Sequence, residues 1–352
     1  MPKQHDNGGR LSHMERRSHA SREEVLWNSN IGHHILDHCS PSSLIRLSQT
    51  CRKASEAVDA YIRSHFNLDS LLRPYFEDVK GFRNLQASTG LLISGATALQ
   101  FFLRARDPNS ILELHVCLSQ RHVVEAWLVD AGYSVVSIFR RRYSTSSRVA
   151  SSSSSDTNDT TSWKDVRDVA AVSTLRNESS TTIKVVAAFS SPLAVALSQN
   201  YTCYLNIVSH NMAYCLYPAA TLEQRRSMLL HSDDLDVADP VVIVESIDRG
   251  FSFFVSAQDN DPIFNPDCVR WLGDRGCWRI PLDTSMLSLP SNSDTLSLSL
   301  WVLVAAPRAK LHFNVLAGPP FRDTYVIGDP LTGAMCAALI IIFDIVQGDH
   351  HL

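Results

Sequence analysis

The apolar residues between positions 31 and 58 fall in two short helical clusters separated by a Ser-Pro turn. Ile31, Ile35 and Leu36 share one helical face, and Leu44, Ile45 and Leu47 open a second amphipathic helix. Between them, Ser40 and Pro41 match an N-cap followed by a first-turn proline. Helices this short bury little by themselves, so their apolar face either docks a partner or caps a following core. Apolar positions from Ile62 to Phe76 predict one or two further helices, broken near Pro74.

From Leu91 the pattern changes to strands alternating with helices. Residues 91–94 read as a buried strand, Gly95 as a turn, 96–105 as a helix and 112–118 as a second strand. A helix over 121–132 ends in glycine, and 133–139 reads as a third strand. Strand 183–189, a capped short helix over 191–199 and strand 202–208 follow. Residues 221–230 predict a capping-box helix with Thr221 at its cap. Beyond Pro262, the segments 268–282, 296–304 and 311–321 read as strands punctuated by Gly and Pro. Helices first, then an α/β unit, then a strand-rich end give an α+β/α/β chain.

The remaining segments set the boundaries. Residues 1–21 are polar and aperiodic and predict a disordered tail, and the Ser/Thr-rich stretch 143–162 predicts a disordered insertion. The organisation expected is a helical segment over 22–62, a helical connector over 63–90, an α/β domain over 91–260 and a β-rich region over 261–352. The apolar run Ala334 to Phe343 is shorter than the ~20 residues of a spanning helix and reads as buried.

Composition narrows the function classes. Hydrophobic residues make up 45% and charged residues 19%, and the net charge of −4 gives no general attraction to nucleic acid or to an anionic membrane. The basic triplet Arg140, Arg141 and Arg142 reads as a solvated loop base. Eight scattered cysteines and a polar N-terminus without an apolar signal core predict a reduced compartment, cytoplasmic or nuclear.

The segment from Ile31 to Val58 resembles an F-box on Ile35, Leu36, Ser40, Pro41, Leu44, Leu47, Cys51 and Arg52, without the opening Leu-Pro of that pattern. The resemblance implies docking on the Skp-type linker of a cullin ubiquitin ligase, while the rest of the chain selects a protein substrate. Ile31, Ile35, Leu36, Pro41, Leu44, Ile45 and Leu47 are the residues it implies for partner binding. The alternative reading is a helical pair that caps its own core.

Residues 91–116 resemble the opening of the nucleotidyltransferase fold, in which a strand ends in Gly-Ser, a helix starts there and the next strand carries an acidic pair. Here Ser94 and Gly95 are followed by Ala96, and Ile111 stands where the first carboxylate belongs, leaving Glu113. The nearest candidate for the third acidic strand, Ile183 to Phe189, has no carboxylate. A vestigial nucleotide site at Ser94, Gly95 and Glu113, without catalysis, is the expectation. With the phrases Phe82 to Phe102, Ala213 to Thr221, Ile247 to Phe253 and Leu272 to Trp278, the chain resembles an uncharacterised group of fungal proteins joining an F-box-like start to a degenerate nucleotidyltransferase-like domain.

Other motifs add no chemistry. His33, His34, His38 and Cys39 contain an i,i+4 histidine pair but lack both the adjacent glutamate and the paired cysteines of zinc sites. Asp233, Asp234 and Asp236 lack the glycine and closing glutamate of a calcium loop. No nucleophile elbow, P-loop or dinucleotide fingerprint occurs. No cofactor and no metal are expected.

Overall fold

The computed structural model describes residues 29–105, 107, 110–141, 163, 166, 168–230, 246–254, 261, 263–264, 268–272, 274–288, 300–304 and 310–314. The expected tail over 1–21, the insertion over 143–162, the acidic cluster at 233–236 and the apolar run at 334–343 lie outside them. The chain divides into two compact units, Met1–Phe66 and Asn67–Leu352.

In the first unit, helices α1 (Ser29–Asp37), α2 (Pro41–Ser48) and α3 (Arg52–His65) follow one another across short turns. The Ser-Pro signal works as its chemistry dictates. Ser43 N–H donates to Ser40 Oγ at 3.3 Å, and Pro41 takes the first helical position, where its missing N–H costs nothing. Ala54, Val58 and Tyr61 form the buried stripe of α3 at i, i+4 and i+7 spacing.

The second unit is built on an eight-stranded mixed sheet. Helices α4 (Leu68–Leu72) and α5 (Val79–Thr89) lead into β1 (Leu92–Ser94), α6 (Gly95–Leu103), β2 (Leu112–Cys117), α7 (Arg121–Asp130) and β3 (Ser134–Arg140). Then come β4 (Val169–Arg176), β5 (Thr182–Ala188), α8 (Pro192–Leu197), β6 (Asn206–Val208), β7 (Met212–Cys215), β8 (Arg226–Met228), β9 (Ser252–Phe254), β10 (Val269–Trp271), β11 (Trp278–Pro281), β12 (Leu300–Val304) and β13 (Lys310–Asn314). The large sheet runs β11-β7-β6-β1-β2-β5-β4-β3, with every neighbouring pair antiparallel except β2 and β5. A three-stranded sheet β10-β12-β13 and a parallel pair β8-β9 complete the described strands.

Helices cover both faces of the sheet. Val195 of α8 packs with Val172, Val186 and Ala188 on one face. Arg121 of α7 reaches Ser173 Oγ at 2.9 Å from the other, because adjacent strand residues point to opposite sides. Strands β2, β4 and β5 are buried almost throughout, so apolar residues dominate them on both faces, interrupted by Glu113 and His115 in β2, Ser173 and Thr174 in β4 and Lys184 in β5. Helix α5 is tied down by Arg83, which donates to Asp69 Oδ1, His210 O and Asp283 O at 2.8 Å each, and by Phe82 stacked on Phe76.

Two sequence expectations need correcting. The helix predicted over 221–230 is instead a five-residue turn of wide helix, Ala219–Glu223, followed by strand β8. Thr221 is not a cap; it is buried within that turn and its N–H donates to Tyr217 O. Arg225, at φ +51°, ends the helical path, and Met228 enters the core. Strand β4, which follows the Ser-rich stretch, had no counterpart in the sequence reading; its small residues Ala170, Ala171, Ser173 and Thr174 mask a strand buried by its neighbours.

Candidate functional site

In the first unit, neighbouring apolar residues part company. Leu36 and Leu44 are buried at 2% and 1% exposure, whereas Ile35 and Ile45 stand 41% and 40% exposed. Pro41 and Leu47 are half-buried, and the side chain of Ile31 lies outside the described residues. Leu36 and Leu44 therefore serve the fold of the unit, and among the described residues Ile35 and Ile45 are the large apolar side chains left at its surface. The scaffold beneath them is polar as well as apolar. Tyr61, fully buried, donates its hydroxyl to Asp37 Oδ1 at 2.8 Å and stacks on His65, whose Nε2 lies 3.4 Å from the same oxygen. This bond fixes α1 against α3 and had no sequence signature. His33 takes part through its ring, 5.8 Å from that of His65, while His34 and His38 are exposed.

In the second unit, Ser94, Gly95 and Glu113 do come together. Antiparallel pairing sets Ser94 opposite Glu113, and α6 starts directly at Gly95. Gly95 has φ +67°, and a Cβ there would collide with Glu113 Oε2, so both the backbone and the carboxylate require glycine. Ser94 Oγ donates to Asn206 O, and its side chain does not cap α6. A Gly95→Ala variant should lose roughly 1–3 kcal/mol of stability from the left-handed backbone. The added Glu113→Ala change should recover only part of that loss, read as the midpoint of urea unfolding.

Beside Glu113, in register on parallel β5, stands Lys184, and His115 follows on the same face of β2 with Nε2 4.0 Å from Glu113 Oε2. This donor set does not fit a pair of magnesium ions: Ile111 has no side-chain oxygen, and the residue beside Glu113 on β5 is the cation Lys184. Among the described residues no three His, Cys, Asp or Glu side chains converge as metal ligands. His115 is wholly buried, edge-on to Trp163 at 5.3 Å, and burial pushes its pKa down to about 3. The imidazole is therefore neutral in the folded protein at ordinary pH. Since the unfolded chain takes up this proton near pH ~6.5 and the folded one does not until about 3, stability contributed here is complete above ~6.5 and falls with acidification. Urea titrations between pH 7 and 4 should show that slope shrink in a His115→Gln variant.

Burial makes Cys203, Cys215 and Cys277 poor nucleophiles. Burial pushes Cys203 and Cys277 up to about 12, and Cys277 Sγ donates to Cys215 O. Cys203, Cys215 and Cys277 are free thiols. Cys268 and Cys277 do not share a hairpin: Cys268 precedes β10 while Cys277 leads into β11, strands of different sheets.

Short amphipathic helices, a Ser-Pro cap and two exposed isoleucines describe an interaction element rather than a reaction centre. Residues 28–63 match the F-box domain. No curated protein and no solved structure matches the chain. The F-box spans α1 to α3 almost to the end of the first unit, and it marks the chain as carrying the interaction element of SCF-type ubiquitin-ligase adaptors, the element that binds Skp-type subunits. None of the described helices is long and apolar enough to cross a membrane.

Proposed function

We propose that this protein is a non-catalytic adaptor whose F-box docks a Skp-type linker of a cullin ubiquitin ligase through Ile35, Ile45 and the half-buried Leu47 and Pro41, while the Asn67–Leu352 unit selects a protein substrate. The observation carrying this reading is the division of the apolar residues in the F-box: one set builds the unit and the other remains at its surface. Work of this kind places the protein in the cytoplasm or nucleus. Full-length protein should capture purified linker, and an Ile35→Asp, Ile45→Asp variant should not; equal capture by both would sink the proposal.

The larger unit fits a scaffold that has given up nucleotidyl transfer. The strand-glycine-helix turn with Glu113 against Gly95 supports descent from a nucleotidyltransferase-like fold, as in the fungal group the sequence resembles. Ile111 at the first acidic position, the lack of a carboxylate in Ile183 to Phe189 and Lys184 beside Glu113 argue against catalysis and against a bound metal or cofactor. The structural-cap alternative, in which the helices serve only their own core, does not account for two exposed isoleucines.

A further inference from the structure

We propose that β3 is the edge on which a protein substrate docks, by adding an extended strand with alternating apolar side chains and acidic residues at its ends. This inference rests on the adaptor reading, for which it supplies the substrate-binding surface. Among the described strands β3 closes one end of the eight-stranded sheet and pairs only with β4. Arg141 N–H donates inward to Ala170 O, so alternation along an antiparallel strand turns the N–H and C=O groups of Ile138 and Arg140 outward. A row of such groups is satisfied by another extended backbone, which decides the kind of occupant.

The side chains of this strand are unusual for an edge. Val135, Val136 and Ile138 stand 43%, 56% and 43% exposed, with no lysine or proline among residues 134–140 to discourage pairing. Charge supplies the remaining specification. Arg140 closes the strand at one end, and exposed Arg176, opposite Ser134, flanks the other. Neither guanidinium has a carboxylate partner among the described residues, so acidic side chains on an incoming strand complement both ends.

A second copy of this chain fits less well. A second β3, Ser134–Arg140, brings a further arginine and no carboxylate, so self-pairing leaves both guanidinium groups without acidic partners. The register shift between Val135 and Ser137 also breaks the regular ladder that a two-fold pairing requires.

The test uses full-length protein and a display library of random peptides of about ten residues. Selection should enrich peptides that alternate Val, Ile, Phe or Tyr with polar residues and carry Asp or Glu near their ends. A synthetic copy of the leading peptide should slow hydrogen exchange at Ile138 and Arg140. Ile138→Lys should weaken its binding at least about 10-fold and Arg140→Glu roughly 5- to 10-fold, with linker capture unchanged in both. Enrichment of no peptide, or of peptides indifferent to both substitutions, overturns the proposal. So does a concentration-dependent dimer that Ile138→Lys dissolves, which would assign the edge to a second copy. Loss of linker capture by the unmodified protein, with peptide protection intact, would remove the adaptor reading and leave the docking edge standing.

Discussion

An Ile35→Asp, Ile45→Asp protein should fold as the parent does and bind the Skp-type linker at least about 100-fold more weakly. Each isoleucine, if wholly covered by a partner, contributes about 1.5–3 kcal/mol of apolar burial, and a carboxylate at the same place adds a desolvation cost. Both side chains are already about two-fifths exposed, so the free protein loses little. Leu44→Ala makes the contrasting control. Its side chain is buried in the helical unit, and truncation should destabilise that unit by about 2–5 kcal/mol. Titration calorimetry with purified linker, alongside thermal melts of each variant, separates loss of contact from loss of fold. A double variant that still binds within a few-fold of the parent would show that linker docking does not use this face.

The largest stability effect should come from Arg270→Met. Arg270 and Asp274 form a forked ion pair whose side chains are only 7% and 8% exposed. The same guanidinium donates to Leu216 O at 3.1 Å and lies 5.3 and 5.4 Å from the ring centres of Tyr217 and Trp301. Those rings are themselves joined, Trp301 Nε1 donating to the Tyr217 hydroxyl. Removing the cation leaves the buried Asp274 carboxylate to the Trp271 and Gly276 N–H groups alone, its charge uncompensated, which costs about 3–5 kcal/mol. Arg270→Lys should recover only part of this, since an ammonium cannot fork across both oxygens while keeping the planar contact with the rings. Gly276 packs against the guanidinium, so Gly276→Ala should destabilise in the same direction by less. Denaturant midpoints give the order; a neutral Arg270→Met would refute the argument.

The sequence was readable wherever local chemistry decided the structure. The Ser40-Pro41 pair announced a helix start because its side-chain oxygen and missing N–H act within one turn. Gly95 between strand and helix was equally plain. What the sequence did not show was anything set by pairing partners. Ile35 and Leu36 are adjacent and alike, and only the packing of α1 on α3 decides which of them turns inward. Lys184 drew no notice until parallel register put it beside Glu113. The segment 133–139 reads simply as a third strand, and only its place at the end of the sheet leaves β3 exposed on both sides. Thr221 with Gln224 imitated a capping box, but the core's claim on Met228 outweighed that local preference.

The one parallel neighbour pair in the large sheet has a consequence in time. Residues 112–117 meet 183–188, roughly 70 positions further along, so the middle of the sheet closes only after that entire stretch has been synthesised. The three F-box helices all lie within the compact unit that ends at Phe66. On a ribosome, the helical unit that carries the F-box is therefore complete well before the sheet that follows it can close.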